Sequence, residues 1–420
     1  MDKTELIALV ENNQAELIEL CSSLLQIPSE NPDGDTAAIT TFISNYLSDN
    51  GIEPLHYEAN PKLVNIVANI GEEEGPQLIY CGHSDTVPVG NREKWSFDPF
   101  LGASQGGFLL GRGASDMKTG LAGLLFTAVL LKRYQLPLKG GLTLAIVADE
   151  ETGGEYGVPW LLARKLIAGD GCLIAEPSNA LHPTIGQKGS CSFTLTVKGI
   201  PAHGSLAPLV GRSAIVDGMA AIEKIRQVTA LKGVIPEELV GLLAQSNQYL
   251  HEENPQMAGI FEMVTCNIGT IKGGTGANVV ADSCVIEIDC RVPFGIQRSE
   301  VMAFVASQLA QLGIDYTVTD LGFKSEANYT LPTDPVCRAV VDNIQVVSNQ
   351  AAYGVLQWAC SDARHFRQYG IPVLQYGPAE LSTIHGFDER VKVENVVECA
   401  KVYLLAAMDF LNGDKEDCYD

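Results

Sequence analysis

Apolar residues recur at helical spacing through Leu6, Leu9, Val10, Leu17, Leu20 and Leu24, which predicts a helix over 4–26, stopped by Pro28. A second helix is expected over 36–50, closed by Gly51. Residues 63–70 and 78–81 read as strands separated by a Gly/Glu turn, with another strand near Phe108. The run after Asp116, MKTGLAGLLFTAVLLKRY, predicts a long helix. Residues 141–148, 172–175 and 371–376 are nearly unbroken apolar runs, as in strands covered on both faces. Such alternation predicts an α/β fold, a mixed and largely parallel sheet with helices on both faces.

Between these runs the period changes. Phe193, Leu195 and Val197 alternate with polar residues, the mark of a sheet wetted on one side. A helix follows through Ile215, Met219, Ile222 and Ile225, then a poorly patterned stretch to about Glu262. Strands are expected at 263–271 and 285–292, a helix at 299–312 ended by Gly313, and a strand at 314–319. The order β-α-β-β-α-β is ferredoxin-like, so residues 190–325 are read as a smaller α+β domain inserted into a larger one made of 1–189 and 326–420.

A length of 420 residues already points to two domains, and 46% apolar with 19% charged residues is ordinary globular composition. The net charge of -23 changes the picture more, because nucleic acid and anionic membrane both demand a basic footprint. The N-terminal stretch spreads glutamates through its helical pattern, unlike a signal peptide. The longest apolar stretch, 121–131, lies between Lys118 and Lys132 and is too short to span a bilayer. The 11 cysteines show no paired spacing, so a reducing, cytoplasmic setting is expected.

Chemistry gathers where the predicted strands end. LIYCGHSD closes on His83 and Asp85; two apart in extended backbone, they share a face, so Asp85 is expected to accept a hydrogen bond from one imidazole nitrogen while the other binds a metal. Asp116 reads either as the cap of the following helix or as a bridging carboxylate. The strand at 141–148 runs into Asp149, Glu150 and Glu151, which is either a solvated acidic loop or a site. Adjacent glutamates in extended backbone face opposite ways, so one can bind metal while the other takes a proton from water. Glu176 ends the next strand, and His385 lies in the loop after the last. Open parallel sheets place their sites at these ends. His83, Asp116, Glu151, Glu176 and His385 suit two divalent cations roughly 3.5–4 Å apart with one shared carboxylate. Zinc is the first choice for such donors, with cobalt and manganese as alternatives.

The segments GHSDTVPVG, GRGASDMKTGLAG, ADEETGG, AEPS, GIPAHGS and TIHGFDE, in this order and with these gaps, resemble the M20 metallopeptidases over nearly the whole chain. The resemblance implies that His83 and Glu176 bind one ion, Glu151 and His385 the other, and Asp116 both. Asp85 then orients His83, Glu150 is the general base, and the bond from Asp116 to Met117 is cis. The larger domain becomes the catalytic one, the inserted domain a lid and dimerisation module. His203 of GIPAHGS matches a histidine that stabilises the oxyanion in the partner's site of a homodimer, or is a surface turn histidine. Asn278 matches a substrate-contacting asparagine, although Ala281 stands where the family often has proline. Arg291 either grips a substrate carboxylate or forms a salt bridge on its strand. CSDARHF, at 360–366, departs from the family pattern in a loop expected to line the substrate pocket. Glu176, where the family's aminopeptidases tend to have aspartate, tilts the reading toward deacylases and carboxypeptidases, with cleavage of an N-acyl amino acid or similar small N-acylated amine as the main expectation. Dipeptidase, carboxypeptidase and zinc aminopeptidase activities, and a non-catalytic binding protein on the same fold, are the alternatives.

Overall fold

The computed structural model describes residues 1–32 and 34–413 of the chain. It divides into two compact units, one made of Met1–Ile185, Thr330–Gly354 and Ser361–Asp420, the other of Gly186–Tyr329 and Val355–Cys360.

The first unit is built on a mixed sheet. Four strands run parallel side by side in the order Gly141–Val147, Gln77–His83, Gly171–Ile174 and Val373–Gln375. Leu63–Gly71 pairs antiparallel with Gly141–Val147, and Leu55–Asn60 forms the edge beyond it. Every residue of Gly141–Val147 and Gly171–Ile174 is buried, which explains their unbroken apolar character. The helix Lys118–Arg133 is buried along all but its last two residues. It lies close against the sheet: a β-carbon on Gly120 would come 2.3 Å from the Ala175 carbonyl oxygen. The C-terminal helix Val393–Asn412 packs its Tyr403 ring against Tyr80 of the sheet and Tyr376 beyond it.

The predicted N-terminal helix is in fact two, Lys3–Asn12 and Gln14–Leu25, parted at Asn13, although the apolar stripe runs through the break. Helices Pro335–Ser348 and Val393–Asn412 add to the expected elements.

The second unit has a four-stranded antiparallel sheet in the order Thr265–Gly273, Ser283–Val292, Gly189–Lys198, Asp315–Ser325. With helices Ala214–Ile225 and Arg298–Ala310 in the connections, this is the ferredoxin-like arrangement. Alternation does the sorting: Phe193, Leu195, Val197, Ile286 and Ile288 enter a core with Ala221, Ile225, Val301 and Leu309, while Ser192, Glu287, Asp289 and Arg291 take the other face. The stretch that lacks clear patterning contains a helix, Val240–Glu253.

Candidate functional site

His83 ends its strand after Gly82, where a β-carbon would lie 2.9 Å from the Met117 side chain. The imidazole is buried, and its two nitrogens face different ways. Nδ1 donates to the backbone carbonyl of Asp85 at 2.9 Å, while Nε2 lies 3.1 Å from Asp116 Oδ1 and 3.6 Å from Glu176 Oε1. The orienting acceptor is therefore the carbonyl of Asp85; its carboxylate stands farther off, at 3.5 Å. That carboxylate is already engaged. It accepts from Asn31 Nδ2 at 3.1 Å and from the backbone amides of Glu150 and Glu151 at 3.3 and 3.2 Å, so Asp85 ties the histidine's strand to the acidic turn.

Asp116 sits in the loop before the long helix, which begins at Lys118 with Met117 at its cap, so the capping role is not taken up. Its peptide bond to Met117 is cis. The two carboxylate oxygens meet different histidines: Oδ1 faces His83, and Oδ2 lies 3.2 Å from Nε2 of His385. The loop is held from beneath by Glu389, which is fully buried and accepts from the amides of Gly113, Ser115 and Asp116 and from Arg112 Nη1 at 2.6 Å. Burial raises the Glu389 carboxyl above the ordinary glutamate range, and Arg112 and the backbone amides act against it. Neither Arg112 nor Glu389 is apparent from the sequence, since they stand far apart along the chain; GRG and the acidic FDER segment were the only signals.

Glu150 and Glu151 occupy a turn of 3-10 helix, Glu150–Thr152, rather than extended backbone. Their separation survives for a different reason, the rotation between successive residues of a tight helix. Glu151 Oε2 lies 3.3 Å from His385 Nε2, while Glu150 gathers with His83 and Glu176. Gly153 closes the turn at φ 109°, where a side chain would be strained. Arg364 Nη2 donates to the Gly153 carbonyl at 2.7 Å, and Asp362 is packed so closely that a β-carbon on Gly154 would approach its Oδ1 to 2.5 Å. Within the CSDARHF segment Asp362, Arg364 and Phe366 are buried, and Arg364 clamps the acidic turn.

The electrostatics follow from crowding. Burial, then the Glu176 charge, lifts Glu150 well above the usual carboxylate range; burial lifts Glu176 to about 8 and raises Glu151. Burial would lower His83, but Glu176, Asp116 and Asp85 together raise it. Hydrogen bonds to Asp116 and Glu151 push half-exposed His385 up to about 10. Burial opposes ionisation of Asp116, yet the two histidines hold its carboxyl below the ordinary range. Four crowded carboxylates that repel one another, one buried and three partly so, form with two imidazoles a donor set that two divalent cations would neutralise. The residues fit such a pair: His83 and Glu176 on one side of Asp116, His385 and Glu151 on the other.

His203, Asn278 and Arg291 belong to the second unit. His203 is exposed, with Nδ1 2.8 Å from Ser205 Oγ, and its backbone pairs with Val279. Gly204 N donates to the Asn278 carbonyl at 2.7 Å, so His203 and Asn278 lie on adjoining segments. Arg291 Nε is 3.1 Å from Asp289 Oδ2, and Ser192 donates to the other oxygen of Asp289. They line a cavity of about 240 Å³ on the polar face of the sheet, with Leu321 and Phe323 among its apolar walls.

Residues 79–409 match the family model described as peptidase family M20/M25/M40. Among curated relatives, the chain is 27% identical to a succinyl-diaminopimelate desuccinylase of Hydrogenovibrio crunogenus, covering 93% of this chain and 97% of that one. It is 26% identical to the N-formyl-4-amino-5-aminomethyl-2-methylpyrimidine deformylase of Bacillus subtilis, covering 97% of each. Among solved structures it is similar in fold to an M20 family metallo-carboxypeptidase of Sulfolobus solfataricus, with TM-score 0.79 and 19% identity over 94% of this chain and 98% of the other.

Proposed function

The chain belongs to peptidase family M20/M25/M40, a metal-dependent hydrolase acting on amides, and from that premise we propose that it cleaves the amide bond of a small N-acyl amino acid or similar N-acylated amine. The observation that carries this reading is the division of Asp116, one oxygen toward His83 and one toward His385. His83 and Glu176 would hold one divalent ion, Glu151 and His385 the second, with Asp116 common to both. Zinc is our choice for these donors, with cobalt or manganese as substitutes. When bound, the ions supply Lewis acidity toward the scissile carbonyl and toward water.

The rest is work for side chains. Asp85, through its carbonyl, keeps His83 in the tautomer that leaves Nε2 a lone pair, and through its carboxylate fixes the amides of Glu150 and Glu151. Glu150, in the half of the site with His83 and Glu176, takes a proton from the attacking water and passes it to the departing amine nitrogen. A raised proton affinity suits both transfers. His203, reaching the site of a second copy in a homodimer, donates to the carbonyl oxygen as negative charge builds. Asn278 and Arg291 hold the substrate's polar end, Arg291 presenting its guanidinium beside Asp289.

A homodimer through the inserted domain is supported by apolar residues left exposed on the second unit, including Val216 and Met219 of the helix Ala214–Ile225 and Ile271 of an edge strand. No helix of the described residues is long and apolar enough to cross a membrane. The ten described cysteines are free thiols, which supports a cytoplasmic setting.

Release of free amine from N-acetyl, N-succinyl and N-formyl amino acids, measured beside dipeptides with zinc, cobalt or manganese supplied, tests the proposal. Turnover of acylated amines above dipeptides is expected. Preference for dipeptides would give the peptidase reading instead, and no turnover of either class would remove both.

A further inference from the structure

Three cysteines stand abreast across the second unit's sheet. The register sets Cys266 of Thr265–Gly273 opposite Cys290 of Ser283–Val292, and Cys290 in turn opposite Cys191 of Gly189–Lys198. Residues directly opposed in antiparallel strands project to the same face, and here it is the helix-covered face. The three thiols are not equivalent. Cys191 and Cys290 are buried, whereas Cys266, one strand from the middle on the sheet's edge, is only partly covered.

We propose that Cys266 and Cys290 form a peroxide-oxidisable dithiol, a modification site in which partly exposed Cys266 is attacked first and buried Cys290 resolves it into a cross-strand disulfide. Opposed positions in an antiparallel pair bring Cα atoms to about 4.5–5.5 Å, within the range a disulfide spans, so no strand need slip. Contact with the Cys290 thiol across the strands lowers Cys266, and the Arg226 charge lowers it further, against burial and Asp289. The same contact, with burial, raises Cys290. Burial lifts Cys191 to about 11, so it too is a poor nucleophile for a first attack.

The chemistry balances with hydrogen peroxide as the oxidant. The Cys266 thiolate attacks one peroxide oxygen, the O–O bond breaks, and Cys266 becomes a sulfenic acid as hydroxide leaves. Cys290 then loses its proton and attacks the sulfenic sulfur; the S–S bond forms, the S–O bond breaks, and water departs. In sum two thiols are oxidised by two electrons and one peroxide is reduced to two waters. A dithiol reductant reverses the step by exchange at the disulfide.

The test reads thiol chemistry alone and stands apart from the metal-site proposal. The intact protein is treated with hydrogen peroxide at a small molar excess, its remaining thiols are alkylated, and it is mapped by mass spectrometry without reductant. Loss of two hydrogens in a peptide pair joined through Cys266 and Cys290, reversed by dithiothreitol, is expected. In Cys290→Ser the sulfenic acid on Cys266 should persist and be trapped by dimedone, and Cys266→Ser should abolish the cross-link. Should either variant fail to fold, early quenching of the native protein in dimedone still locates the first oxidised thiol. A Cys191–Cys290 link, first oxidation elsewhere than Cys266, or Cys266 passing to sulfinic acid without a cross-link would overturn the proposal.

Discussion

On the proposed reading, Asp116 and Glu150 divide two separable duties of the site, collecting cations and moving a proton. Asp116 faces both histidines, whereas Glu150 lies on the His83 and Glu176 side alone. Replacing Glu150 by alanine should therefore leave ion binding near normal and lower turnover by roughly 10²–10⁴-fold, as loss of a general base does. Ion content by mass spectrometry beside the rate of amine release checks both halves; near-normal turnover in Glu150→Ala would exclude it as the base. At this scale much was legible, because His83, Asp116, Glu151, Glu176 and His385 carry chemistry their neighbours do not. What could not be read was which atom of Asp85 meets His83, since carbonyl and carboxylate are both within reach of a histidine two residues away. The support given by Glu389 and Arg364 was equally hidden: their partners, Ser115 and Gly153, are ordinary loop residues until the chain is folded.

Elements place these residues, and the closest fit is between the helix Lys118–Arg133 and the end of the strand that leads to Glu176. Gly120→Ala puts a β-carbon 2.3 Å from the Ala175 carbonyl, so the helix and strand must part, at about 1–3 kcal/mol. Weaker ion binding should accompany the lower urea midpoint, because Glu176 is the next residue. Gly241→Ala is the control: its β-carbon would meet nothing within 4 Å in the helix Val240–Glu253, and helix propensity predicts a stable protein. Farther out, Arg133 of the long helix donates to both oxygens of Glu16 on Gln14–Leu25, with Tyr46 as a third partner. The Arg133 hydrogen bonds hold Glu16 below the ordinary glutamate range. A lowered carboxyl contributes stability above its unfolded pKa and loses it as pH falls through the folded one. Glu16→Gln should therefore cost about 0.5 kcal/mol or less at neutral pH, given its exposure to solvent, and the gap from wild type should close below about pH 4. A gap that widened in acid would contradict the pairing. Strand legibility followed burial. The covered strands announced themselves by unbroken apolar runs, and the inserted sheet by alternation; the three-residue strands Val355–Gln357 and Arg390–Lys392 are too short to show any period. The helix Val240–Glu253 buries only Leu242, Leu243, Ser246 and Leu250, a stripe too thin to stand out.

For the whole molecule, the proposed homodimer makes each site depend on two chains. His203→Ala and Glu150→Ala should each be nearly inactive alone, yet mixed subunits should recover about a quarter of wild-type turnover, since half the dimers formed at random would hold one site with both residues intact. No recovery after verified subunit exchange would place His203 outside the partner's chemistry. Beneath this lies the cation pair itself, and one titration tests it most directly. Protein stripped with a chelator is titrated calorimetrically with zinc, and turnover of the best N-acyl substrate is followed alongside, for wild type and Asp116→Ala. Two equivalents per wild-type chain, turnover returning with the ions, and loss of tight binding at both positions in Asp116→Ala are the predicted result; stripped wild-type protein that binds no zinc, or hydrolyses its substrate at full rate without it, would contradict the account.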